Sequence, residues 1–111
     1  MSPIEFYRDE SGAPRARPTT PDQQEEAMLA QFLESDLQDD DQTCRELLDA
    51  LSRLEEQGAG HYEFIGNSYA LDLDPERIVM ACHGDEEGRP VTIDPAELRR
   101  VVQDWLGFIE N

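Results

Sequence analysis

Two cysteines, two histidines and 26 carboxylates are the side chains of this 111-residue chain that could do chemistry. Nucleophilic catalysis needs a Ser or Cys within reach of a His that a third polar group orients. Cys82 adjoins His83, but the pair falls on a strand, where neighbouring side chains point to opposite faces. Cys44 and Cys82 both occupy apolar-periodic positions, which reads as buried free thiols. His61 stands at a strand entrance. A zinc site needs paired ligands at spacings such as Cys-x-x-Cys, and no such pair occurs. Asp39, Asp41 and Thr43 alternate like the start of a calcium loop, as do Asp72, Asp74 and Glu76. That loop requires glycine at its sixth place and a bidentate glutamate at its twelfth. The first stretch has Ala50 at the twelfth place; the second has Arg77 at the sixth and His83 at the twelfth. No phosphate loop or dinucleotide fingerprint is present. No catalytic, metal-binding or cofactor-binding residue is therefore expected.

What remains is charge. The 26 acids face nine basic residues, all arginine, for a net charge of −17. Residues 1–20 are neutral, 21–58 carry −10 and 59–111 carry −7. Glu34, Asp36, Asp39, Asp40 and Asp41 place five acids within eight residues without an intervening arginine. Asp85, Glu86 and Glu87 form a second run in a glycine-bounded loop. A field of this sign repels nucleic acid and anionic membrane, which need Lys or Arg against phosphate. It attracts basic protein surfaces, and these two runs, expected to project uncompensated into solvent, are the candidate interaction patch. A solvated helix connection that only maintains solubility is the competing explanation.

The elements that would carry these groups follow from periodicity. Ile4 to Arg8 reads as a strand, and Ala13 to Arg17 as a weaker one confined to an edge by Pro14 and Pro18. Thr20 as N-cap and Pro21 at the first helical position open a helix carrying Met28, Leu29, Phe32, Leu33 and Leu37. Asp36 and Asp39 to Asp41 would lie at its negative C-terminal end and help to end it. Thr43 and Glu46 fit a capping box for a second helix, with Cys44, Leu47, Leu48, Leu51 and Leu54 on one stripe. Gly58 suits the left-handed position after its last turn. The short link predicts an antiparallel helix pair.

Beyond Gly58 the period changes to two. Tyr62 and Phe64 share one face of a strand, and Gly66-Asn67 signals a two-residue hairpin with glycine at positive φ. Tyr69, Leu71 and Leu73 mark the next strand. Asp74-Pro75-Glu76-Arg77 fits a turn into Ile78, Met80 and Cys82. Val91 to Ile93 adds a few strand residues. Asp94-Pro95-Ala96-Glu97 then gives N-cap, N1 proline and N3 glutamate before Leu98, Val101, Val102, Trp105 and Ile109. The reading is one α+β domain over residues 1–111: a small antiparallel sheet, made of an N-terminal hairpin plus a three-stranded meander, packed by three helices in the order ββααβββα. The N-terminus lacks the basic and apolar regions of a signal peptide. No apolar run approaches the ~20 residues of a membrane span. A cytoplasmic protein is expected.

Ile4-Glu5-Phe6-Tyr7-Arg8-Asp9 resembles the Tyr-Glu-Phe-x-Arg-Asp stretch of the YacL-like uncharacterised bacterial proteins. Ala59-Gly60-His61-Tyr62-Glu63 is similar to their central Ala-Gly-His-Glu-Tyr segment. The acidic loop followed by a final helix is similar as well. The resemblance implies a small cytoplasmic proteobacterial protein and carries no activity or catalytic residue with it. The expected function is a non-enzymatic acidic binding or adaptor protein that docks on a basic protein surface, for example of the transcription or translation machinery. An immunity-type inhibitor of a basic toxin fits the same size and charge. A small enzyme without a recognisable motif is the third reading. Composition leaves the oligomeric state open.

Overall fold

Ile4–Arg8 (β1) and Pro14–Pro18 (β2) form an antiparallel hairpin, with Phe6 opposite Ala16. The structure is a computed structural model that describes residues 4–19, 24–83 and 90–110. The expected helix start at Thr20 and Pro21 lies outside the described residues. The first helix (α1) is described from Gln24–Phe32 and runs directly into a π-helical turn, Leu33–Leu37. The second helix (α2) spans Asp41–Gln57 and ends at Gly58, whose φ of 66° lies in the left-handed region that glycine enters without steric cost.

Four strands follow as an antiparallel meander: β3 (Tyr62–Ile65), β4 (Tyr69–Leu73), β5 (Ile78–Cys82) and β6 (Val91–Ile93), in that spatial order. The third helix (α3, Pro95–Ile109) closes the described chain. The class is α+β as the periodicity indicates. The hairpin forms its own two-stranded sheet, and Val91–Ile93 extends the meander to four strands.

Period two assigns the faces of the larger sheet. Tyr69, Leu71, Leu73, Ile78, Met80 and Ile93 point to one side and are fully or almost fully buried. Phe64 joins them, its ring edge-on to Phe32 of α1 at 5.8 Å. The opposite face carries Glu63, Ile65, Ala70, Asp72, Val79, Ala81 and Thr92, and none of these belongs to the apolar core. Helices therefore cover one face of the sheet. Among the described residues, 23 apolar ones are buried and no polar or charged one is.

The α3 helix starts as its sequence dictates, with the Asp94 carboxylate accepting the Ala96 N–H at 2.8 Å. Its stripe buries Trp105 against Phe6 of β1, ring centroids 5.2 Å apart and nearly perpendicular. The principal helical neighbour of α2 is α3 and not α1. Ion pairs tie this antiparallel couple at both ends: Arg45 to Glu110 at 2.7 Å, and Glu55 to Arg99.

Two other expectations are corrected. The cap of α2 is Asp40, three residues before Thr43, and its carboxylate accepts both the Thr43 N–H (3.2 Å) and the Thr43 hydroxyl (2.6 Å). A carboxylate at Asp40 satisfies the orphan amide, so Thr43 sits inside the first turn. Cys82 is exposed, while Cys44 is buried. Cys82 ends β5 two residues past Met80, the last residue of that strand paired with β6.

Candidate functional site

The acidic run 34–41 divides into side chains with different tasks. Glu34 lies in the π-turn and reaches β2, where its carboxylate accepts the Ala16 N–H at 2.7 Å and sits 3.5 Å from Arg15 Nε. Asp36 reaches the other sheet. Its two oxygens accept the N–H groups of Ser68 and Tyr69, each at 2.9 Å, at the start of β4. Asp40 caps α2. Asp41 lies 3.9 Å from Arg45, one turn along the same helix. Asp39 is exposed and has no ion-pair partner among the described residues. The run is thus largely consumed by the fold itself, which corrects the expectation that it projects uncompensated into solvent. Asp85, Glu86 and Glu87 lie outside the described residues.

The π-turn makes this possible. Gln38 N–H closes it by donating to the Leu33 carbonyl at 2.8 Å, a five-residue step. Gln38 then takes φ 52° with ψ −134°, a positive-φ conformation outside the left-handed helical basin and uncommon for any residue but glycine. Its carbonyl accepts the Trp105 indole N–H at 2.8 Å. One turn therefore holds the N-terminal hairpin through Glu34, the meander through Asp36 and α3 through Gln38.

The Asp36 contact also sets the β3–β4 connection. Ile65 pairs with Ala70, and Gly66 N–H donates to the Tyr69 carbonyl at 2.9 Å. This link is longer than the two-residue turn that Gly66-Asn67 suggests, because Asp36 claims the Ser68 and Tyr69 amides. Gly66 does not adopt positive φ. It is needed for space: a Cβ there would overlap the Asp36 carboxylate.

The groups with reactive potential stand apart. His61 binds Asp72 through Nε2 at one end of the meander, both side chains more than half exposed. His83 lies at the other end, its N–H donating to the Ser68 carbonyl at 2.8 Å and its ring nitrogen 3.1 Å from the Gly66 carbonyl. Cys44 is buried, and desolvation, with Asp40 and Asp41 nearby, pushes its thiol up to about 11. Tyr69 is pushed up to about 12, chiefly by burial. Neither ionises near neutrality, so neither is a ready nucleophile. No cluster of three or more His, Cys, Asp or Glu suited to a metal ion occurs among the described residues.

Concavity occurs beside His61. A groove of about 370 Å³ runs between α2 and the start of β3, lined by Glu46, Asp49, Ala50, Arg53, Leu54 and Tyr62 together with His61. Sequence reasoning missed both this groove and the His61–Asp72 pair. The register of the β3–β4 hairpin was the available signal, since Glu63 pairs directly with Asp72.

Fold and site together define a small acidic α+β protein whose two antiparallel sheets are stitched through carboxylates to one π-turn. The family model described as "Uncharacterised protein family (UPF0231)" matches residues 4–89, and the chain belongs to this YacL-like family. No curated protein and no solved structure matches the chain. No helix among the described residues is long and apolar enough to cross a membrane.

Proposed function

We propose that the chain is a non-enzymatic binding protein that docks through its acidic surface on a basic protein surface, for example within the transcription or translation machinery. The observation that carries this reading is the mismatch between its arginines and its acids. Arg15, Arg17, Arg45, Arg53 and Arg99 are already engaged in ion pairs within the chain, and the net charge is still −17. Asp39, Glu56, Glu63, Glu76 and Asp104 are exposed without an ion-pair partner among the described residues. Such a surface steers association with positive partners and opposes contact with phosphate backbones or anionic lipid. The docking surface supported here is the exposed outer side of α2 and the edge of the meander, not the run 34–41. The His61–Asp72 pair is solvated and has no Ser or Cys hydrogen-bonded to it among the described residues, which favours binding over catalysis.

The test is co-purification from lysate on the immobilised chain at low and at high salt. Basic proteins retained at low salt and released at about 0.5 M salt, where the Debye length falls below ~5 Å, support the reading. Partners that persist unchanged in high salt overturn it.

A further inference from the structure

We propose that the groove between α2 and β3 receives an extended basic segment of a partner protein, which adds to the free edge of β3 as a further strand of the sheet. This names the site for the acidic-docking reading and rests on it.

Among the described residues β3 pairs with β4 alone, so its outer edge is open. Natural sheets commonly blunt such edges with short strands, charged side chains, proline or bulges; the four-residue strand Tyr62–Ile65 has Glu63 on its outer face but no lysine, proline or bulge. Instead it displays Tyr62 and Ile65, 42% and 62% exposed, the two most exposed large apolar side chains of the chain's described part. The surroundings on both sides of the edge suit an alternating segment. On the helical side, Tyr62, Ala50 and Leu54 give the groove an apolar floor, and Glu46 and Asp49 edge it; Arg53 also lines it, already tied to Asp49 at 3.2 Å. On the opposite face of the sheet, Ile65, Ala70 and Ala81 align across three strands beside Glu63 and Asp72. An added strand sends successive side chains to these two sides. On the helical side its apolar residues would meet Tyr62, Ala50 and Leu54, and on the opposite face its Lys or Arg would meet Glu63 and Asp72. Main-chain hydrogen bonds to β3 would supply affinity and the groove would supply selection. A second copy of this chain is a poor occupant, since pairing two β3 edges would bring two surfaces of the same sign together.

The experiment uses the whole chain and two fluorescein-labelled octapeptides, alternating Lys-Val and the same sequence methylated on every backbone nitrogen, read by fluorescence anisotropy at low salt. The charge of the two probes is equal, but only the first can donate strand hydrogen bonds. Binding at least about tenfold weaker for the methylated peptide is expected, the equivalent of two or three lost hydrogen bonds. In parallel, Asp49→Arg should weaken Lys-Val binding several-fold more than the charge-matched Asp104→Arg on the outer side of α3. Amide shifts in NMR spectra should concentrate at residues 61–65 and along the facing side of α2. Equal affinity for the two peptides, or equal loss in the two variants, overturns strand addition while leaving acidic docking standing. Failure of both peptides to bind also overturns it, and the salt-dependent co-purification then decides separately on acidic docking.

Discussion

Asp36 shows how a carboxylate that looks like surface charge becomes a structural fastener. It sits in the π-turn, and the two amides it receives belong to residues more than thirty positions away. Asp36→Ala should leave the Ser68 and Tyr69 N–H groups without their acceptor and cost ~2 kcal/mol in urea unfolding. Gly66→Ala should also destabilise, because its methyl group would overlap that carboxylate. The two losses should not add: in the Asp36→Ala background the Gly66→Ala change should cost clearly less, which a double-mutant cycle will read directly. The thiols give a second test at this scale. Exposed Cys82 should react with a thiol reagent in the native protein, and buried Cys44 only after unfolding. Raised folded-state values for Cys44, from 9.0 to about 11, and Tyr69, from 10.0 to about 12, mean that the unfolded chain releases these protons first. Their contribution to stability should therefore be intact below pH 9 and decline between pH 9 and 12, as followed by denaturant midpoints across that range.

At the scale of elements, the helix starts separate what a sequence displays from what it hides. Asp94-Pro95-Ala96-Glu97 was fully legible, because cap, N1 proline and N3 glutamate are contiguous and need no tertiary information. For α2, two residues three apart both qualify as caps. Thr43 with Glu46 reads well locally, yet Asp40 wins because the π-turn ends at Leu37 and leaves Asp40 where the first amides need an acceptor. Asp40→Ala should cost ~1 kcal/mol and Thr43→Ala only a few tenths, measured by thermal or urea unfolding. The carboxyl of Asp40 is held below its ordinary value by hydrogen bonds from Thr43. Its contribution is present above pH 3.8 and is lost as pH falls through that lowered value. The strands were legible from period two, and the faces survived the wrong turn length. A two-residue turn would set Ile65 opposite Ser68, whereas Ile65 meets Ala70. The difference is two residues, so every side chain keeps its face. The π-turn was not legible, since Leu29, Phe32, Leu33 and Leu37 fit an ordinary helix equally well. The site was the least legible part: the carboxylate run is evident in the sequence, but its consumption by Ala16, Ser68 and Tyr69 depends on contacts between distant segments.

For the whole molecule, charge is the term most open to control from outside. A net −17 on a chain of 111 residues means repulsion that folding intensifies by compaction. Raising salt from low to physiological strength should increase the melting temperature by a few degrees, because screening relieves that repulsion more than it weakens the exposed ion pairs. A melting curve indifferent to salt would show local compensation throughout. The opposite sign is expected at the α2–α3 couple, where salt weakens Arg45–Glu110 and Glu55–Arg99 at its two ends.

The π-turn makes chain length itself a constraint. It winds one extra residue into a helical path, and that residue turns the following backbone by about 100° relative to a regular helix. Deleting a single residue from Leu33–Leu37 would let the helix run regularly and swing Asp36 away from β4 while Glu34 still addressed β2. Lengthening the helix by a full turn would carry the carboxylates past both sheets. Insertions and deletions should therefore be tolerated at the Asp9–Ala13 bend of the hairpin, which faces solvent, and be fatal in these five residues, where the fold counts positions as strictly as it reads their chemistry.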